Sequence, residues 1–147
     1  MLKLTKKADY GLIAVKHLAV SGRNGAASAK EIADSYGIPL PLLAKVLQKL
    51  GKSGLLLSLP GTNGGYKLAR DPKTISALEV IRAIEGPIIL TSCFTSPGHC
   101  EQSERCNVRE PLRRIHQSIL NVLGTIKVSD LSEDDGPDEI DVPLLAL

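Results

Sequence analysis

The sequence has no tryptophan, one phenylalanine and three tyrosines among 147 residues. So few rings exclude an aromatic platform for stacking single-stranded nucleic acid. Cysteine is scarce as well, and three is an odd number, which argues against a closed disulfide framework. No apolar run approaches the roughly 18 residues of a membrane span. No apolar segment with a small-residue cleavage site follows the basic start. The chain is therefore expected in the cytoplasm, with no membrane partner. Catalytic signatures are missing too: there is no H-E-x-x-H and no G-x-x-x-x-G-K-[ST] phosphate loop. The length is too small for a barrel enzyme or a full dinucleotide-binding dehydrogenase. These absences point away from an enzyme.

What is present is unevenly distributed. Residues 1–70 hold 11 Lys/Arg against 3 Asp/Glu, a net +8, whereas residues 71–147 hold 7 against 13, a net −6. A basic half followed by an acidic half suggests a polyanion as partner of the first half.

Apolar spacing predicts a helix over 5–21, with Thr5 as N-cap and Ala8, Leu12, Val15, Leu18 and Ala19 on one face. Residues 22–27 read as a turn. Ser28 and Glu31 form a capping box that opens a short helix over about 29–36, and Gly37 with Pro39 closes it. A helix over about 41–52 follows, with Pro41 at its first position. Leu43, Val46, Leu47 and Leu50 form its apolar face; Lys45, Gln48, Lys49 and Lys52 lie opposite. Residues 54–60 and 66–69 read as two strands joined by Gly61-Thr62-Asn63-Gly64-Gly65. A further helix is predicted over 75–85, capped by Thr74, and a long one over 109–127. Residues 129–141 carry seven acidic groups and no basic one, which predicts disorder over 129–147 despite the apolar end Val142 to Leu147.

Helix, turn, helix and glycine-tipped hairpin, in that order, describe a winged helix-turn-helix. The expected fold is mainly α, with a small β-hairpin wing and a long dimerisation helix. The expected division is a DNA-binding domain over 1–72, a loop and dimerisation helix over 73–128, and the acidic tail over 129–147. In such a fold the second helix of the pair enters the major groove of double-stranded DNA. Lys45, Lys49 and Lys52 can neutralise phosphates there, and Gln48 can read a base edge. Leu42 and Ala44 can touch a thymine methyl group. The alternative is a merely solvated lysine face, against which the hairpin and the +8 charge weigh. At the wing, Thr62, Asn63 and Gly64 are candidate DNA contacts, because glycines allow close approach to a phosphate or the minor groove. A tight turn without a ligand is the alternative.

Cys93, Cys100 and Cys106 form a second constellation within 14 residues. Thiolates are soft ligands for iron–sulfur clusters or zinc. The tight C-x2–4-C pair usual in zinc sites is missing. Three cysteines leave one ligand open, with Asp9, His99, Glu104, His116 or an external small molecule as candidates.

The motifs together resemble the IscR/NsrR-type winged-helix regulators of bacteria. The likeness covers about residues 1–128. It rests on L-T-K-K-A-D-Y-G-L, E-I-A-D-S-Y-G-I-P-L-P-L-L-A-K-V-L-Q-K-L, the wing G-T-N-G-G-Y-K-L-A, and S-A-L-E-V-I-R-A-I-E-G. The resemblance implies a homodimer joined through the long helix. It also implies an iron–sulfur cluster held by Cys93, Cys100 and Cys106. In the nitric-oxide-sensing branch an aspartate of the other subunit is the fourth ligand, and Asp9 occupies that position. In the cluster-biogenesis branch the ligand is a histidine three residues after the last cysteine, where this chain has Arg109. Two other positions differ from the family pattern. The first cysteine gap is six residues rather than the common five, and Pro60 replaces an arginine before the wing glycine. The implied function is a DNA-binding transcriptional regulator switched by redox state, nitric oxide or iron–sulfur status. A four-iron cluster is favoured and a two-iron one compatible. The competing function is a winged-helix regulator that uses zinc or thiol oxidation without iron.

Overall fold

The structure is a computed structural model and describes residues 3–21, 25–61, 64–91, 101–102 and 104–131. Its elements run α1 (Lys6–Val20), β1 (Ala26–Ala27), α2 (Ala29–Tyr36), α3 (Leu40–Lys52), β2 (Leu56–Leu59) and β3 (Gly65–Leu68). After a 3-10 turn (Pro72–Thr74) come α4 (Ala77–Glu85), α5 (Arg109–Thr125) and α6 (Val128–Leu131). Among the described residues, no helix is long and apolar enough to cross a membrane.

Local chemistry sets most of the boundaries. The Thr5 hydroxyl accepts the Ala8 N–H and starts α1. At α2 the Ser28 hydroxyl accepts the Glu31 N–H while the Glu31 carboxylate accepts the Ser28 N–H. These bonds satisfy donors that a helix start leaves open. Gly37 stops α2 at φ 64°, a conformation that a Cβ disfavours.

Several boundaries differ from the sequence expectation: α1 spans 6–20 rather than 5–21, and the two strands span 56–59 and 65–68 rather than 54–60 and 66–69. Helix α3 begins one residue early, at Leu40, with Pro39 as cap, so Pro41 takes the second helical position. Helix α4 begins at Ala77, and its cap is Ser76 rather than Thr74. The Ser76 hydroxyl accepts the Glu79 N–H, and Glu79 accepts the Ser76 N–H at 2.9 Å. Thr74 instead donates its hydroxyl to the Asp71 carbonyl. Helix α5 ends at Thr125, because the chain there turns back onto the start of α4. Ala77 N–H donates to Ile126 O and Val128 N–H to Ile75 O, each at 2.8 Å.

The expected hairpin is present but has a third strand. Ala26 and Ala27, read as part of a turn, pair antiparallel with Lys67 and Tyr66, so the sheet order is β1-β3-β2. Residues 129–131, expected in the disordered tail, lie in α6. The remainder of that tail, 132–147, lies outside the described residues.

One core joins these parts. Val15 and Leu18 of α1, Ile32 of α2, and Leu43, Val46, Leu47 and Leu50 of α3 pack with Leu56, Ile75, Val80, Ile84 and Val128. Gly11 is a further requirement. A methyl group there would overlap Ile84 Cδ1 of α4 and lie against Val46 of α3, so a larger residue would require the Ile84 side chain to move.

The corrected cap is testable. Ser76→Ala should cost about 1 kcal/mol of stability, and Thr74→Ala less, in urea titrations at fixed protein concentration. Partial burial pulls the Glu79 carboxyl upward, but the Ser76 N–H and the Arg70 guanidinium, 2.7 Å away, outweigh it and hold the group below its ordinary value of 4.5. A lowered folded value gives stability that is present above the ordinary pKa and lost as pH falls through the folded one. Glu79→Gln should therefore flatten the acid limb of the stability curve below about pH 4.5.

Candidate nucleic-acid interface and thiol segment

Helix α3 offers two unlike faces. Leu43, Val46, Leu47 and Leu50 are buried, which turns Lys45, Gln48 and Lys52 outward, all three exposed. Lys49 is also exposed, but its Nζ donates to the Ile84 carbonyl of α4 at 3.1 Å. A cation at the end of a helix meets the partial negative charge of its unpaired carbonyls. The four expected α3 contacts therefore divide: three point away from the protein and one ties α3 to α4. Ala44 is half-buried, whereas Leu40 and Leu42, at the start of the helix, are exposed.

Among the described residues, no ion pair offsets the positive charge of this face. Among the described residues the ion pairs are Arg70–Glu79, Arg113–Glu110 and Arg114–Glu110. None involves a lysine of α1, α2 or α3.

Thr62 and Asn63, at the wing tip, lie outside the described residues. Gly64 closes the turn through its N–H to the Gly61 carbonyl at 3.0 Å, and a Cβ there would strike the Leu59 carbonyl. Gly65, at φ 150°, lies so close to β1 that a Cβ would overlap the Ala27 carbonyl. The wing glycines thus answer to the turn and to the third strand. The strand Ala26–Ala27 was the missing information, and nothing in the local sequence announces it.

In the thiol segment, Cys106 is half-buried and free of disulfide bonding. Cys93, Cys100 and His99 lie outside the described residues. Asp9 is half-buried in the first turn of α1. Glu104 is exposed, and His116 is half-buried on α5. Among the described residues, no three His, Cys, Asp or Glu side chains gather closely enough to hold a metal ion. Close to Asp9, the Thr5 hydroxyl donates to the Glu85 carboxylate at the end of α4. The start of α1 is thereby pinned to the helix from which the chain leaves toward Cys93. Four residues past Cys106, in the first turn of α5, hydrogen bonds from Arg113 hold the Glu110 carboxyl below its ordinary range.

Helix α5 has 17 residues and no buried one. Ile115, Ile119, Val122 and Leu123 line an open groove of about 450 Å³ together with Arg114 and Ser118. Ile115 and Val122 are 49% and 58% exposed, so this face lacks a partner within the described residues of the chain. No sequence-only argument fixes how little of α5 the rest of the chain covers.

Comparison with known proteins was consistent with this geometry. Residues 4–134 match the Rrf2 family, described as an iron-dependent transcriptional regulator. The HTH-type transcriptional regulator NsrR of Bacillus licheniformis is 36% identical over 131 residues, 88% of this chain and 92% of that protein. The HTH-type transcriptional regulator IscR of Xenorhabdus nematophila is 32% identical over 130 residues, 88% of this chain and 79% of that protein. Among solved structures, CymR, the global cysteine regulator of B. subtilis, superposes with a TM-score of 0.74 at 32% identity, covering 90% of this chain and 97% of that one.

The division among the lysines predicts unequal effects. Lys45→Ala and Lys52→Ala should each weaken binding to duplex DNA and lower the slope of log affinity against log salt by about 0.9. Lys49→Ala should change that slope less and lower thermal stability instead. Fluorescence anisotropy across a salt series, with a melting curve for each variant, checks both.

Proposed function

The chain belongs to the Rrf2 family of iron-dependent transcriptional regulators, and we propose that it binds double-stranded DNA as a homodimer whose affinity follows the state of an iron–sulfur cluster. In this reading residues 1–72 contact DNA through Lys45, Gln48 and Lys52 and through the wing at Thr62, Asn63 and Gly64. Lys49 acts from behind, by setting the angle of α3 against α4. Residues 73–128 carry the cluster segment and the dimerisation helix; of the acidic stretch 129–147, residues 129–131 belong to α6.

The observation that carries the cluster assignment is the place of the thiols. All three lie in the stretch between α4, whose Val80, Ile81 and Ile84 are buried, and α5, which has no buried residue. Cys93, Cys100 and Cys106, with Asp9 of the partner subunit, make a donor set of three soft thiolates and one carboxylate. Such a set suits iron–sulfur chemistry far better than a hard cation such as magnesium. One carboxylate beside three thiolates makes a four-iron cluster the simpler fit, and a two-iron form takes the same four ligands. When bound, the cluster supplies iron that reacts with oxygen or nitric oxide.

The chain's own residues supply the coupling. Thr5 and Asp9 lie in one turn of α1, and Thr5 is bonded to Glu85. One residue back along α4, the Ile84 carbonyl accepts Lys49 of α3. A change in the hold on Asp9 therefore acts on the α4 terminus to which α3 is tied. Two recognition helices of a dimer must meet half-sites about 34 Å apart, a spacing that tolerates little rotation. A coupling of about 1–3 kcal/mol would alter DNA affinity roughly 5–150-fold.

Protein purified without oxygen should be brown and contain iron and sulfide, and Cys100→Ala should remove the visible absorbance. A variant that keeps full absorbance after reconstitution would sink the ligand assignment. A colourless sample that also resists anaerobic reconstitution would replace the cluster with zinc or thiol chemistry. The dimer has its own check: Ile115→Asp, on the exposed face of α5, should shift the protein toward monomer in sedimentation at micromolar concentration and weaken binding to two-half-site DNA.

A further inference from the structure

From Ile38 to Ala44 the chain reads Ile-Pro-Leu-Pro-Leu-Leu-Ala, seven residues with no polar side-chain atom. Ile38 and Leu43 go into the core at 6% and 0% exposure, but Leu40 and Leu42 remain 42% and 38% exposed. Two large apolar side chains thus stand at the start of α3, the end that leads a recognition helix into the major groove. The backbone adds to this character. Pro39 gives no side-chain cap, and neither Pro39 nor Pro41 has an N–H. The N–H groups of Leu42 and Leu43 both turn inward to the Pro39 carbonyl at 3.1 Å. A helix start normally offers several free N–H donors to phosphate or other acceptors; this one offers few.

We propose that Leu40 and Leu42 read thymine methyl groups, so that base choice under the tip of α3 is made by apolar contact rather than by hydrogen bonding. The proposal rests on the reading that α3 enters the major groove, and it specifies what α3 recognises there. Among the features that bases present in that groove, the thymine C5-methyl is the apolar one. The surroundings favour DNA over a protein partner as the occupant. The next outward-pointing side chains along α3 are Lys45, Gln48 and Lys52, and the first turn of the helix has no carboxylate. An apolar tip bordered by cations on one side fits a surface that is apolar at the base edge and anionic at its rim. Gln48, two turns further on, is the α3 side chain able to hydrogen-bond an adenine edge bidentately.

The test uses the full chain to select duplexes from a random pool, then replaces each selected thymine by uracil, which removes the methyl group and nothing else. One or two thymines per half-site should lose about 4-fold in affinity, the share of one buried methyl-sized group. Leu42→Ala should weaken binding to the thymine duplex and erase the thymine–uracil difference at its position, and Leu40→Ala should do so at a neighbouring one. The salt slope should remain unchanged in both variants, because no phosphate contact is altered. Uracil duplexes that bind like thymine duplexes at every position would overturn the proposal. So would variants that keep the full preference, or that lose self-association instead, which would make the tip a contact between proteins. Failure of the underlying groove reading looks different: no duplex is enriched, and affinity for DNA does not change with salt.

Discussion

Everything that α3 presents to the outside depends on how its inner side is held. Leu43, Val46, Leu47 and Leu50 leave no rotational choice, since turning the helix by one position would put Lys45 or Gln48 into the core. The depth of that seat is set by the close approach of α1 to α4 at Gly11, where Ile84 and Val46 fill the space a side chain would need. Interiors packed to this density transmit displacement instead of absorbing it. A glycine that contacts no ligand thus helps determine which atoms of α3 face outward.

The same small region gathers the polar ties. The end of α4 receives the Thr5 hydroxyl from α1 and the Lys49 ammonium from α3, on residues adjacent in sequence. Beyond Glu85 the chain proceeds to Cys93. Glu85 and Ile84 thus tie α1 and α3 to the end of α4, each through a named bond.

Much of this was legible from residue order alone. The Ser28–Glu31 box, the stop at Gly37, the buried quartet of α3 and the glycine-tipped hairpin are local patterns, and the structure follows them. What escaped is non-local or subtle. Ala26 and Ala27 have neither the branching nor the alternation of a strand, and they pair with Lys67 and Tyr66, 41 and 39 positions away. Ser76-Ala77-Leu78-Glu79 repeats the box spelled by Ser28 to Glu31, yet Thr74 lay closer to the apolar pattern and drew the assignment. Lys49 is indistinguishable from Lys45 in sequence, and only the tertiary position of Ile84 separates them. For the thiol segment the sequence supplied residue types and spacing. The described residues add the setting of Cys106 and Asp9.

Helix α5 is fixed at one end. Its C-terminal side is tied to the start of α4 through Ile126, Lys127 and Val128, while its first residue, Arg109, lies three residues after Cys106. Seventeen residues make a rod of about 25 Å. Pivoting such a rod by about 10° at its anchored end would carry the other end through about 4 Å, by simple arc length on the helix dimension. Its anchorage makes α5 a lever arm: a modest pull applied beside Cys106 acts with mechanical advantage on the joint between α4 and α5, whereas an equal force applied near Thr125 would have almost none.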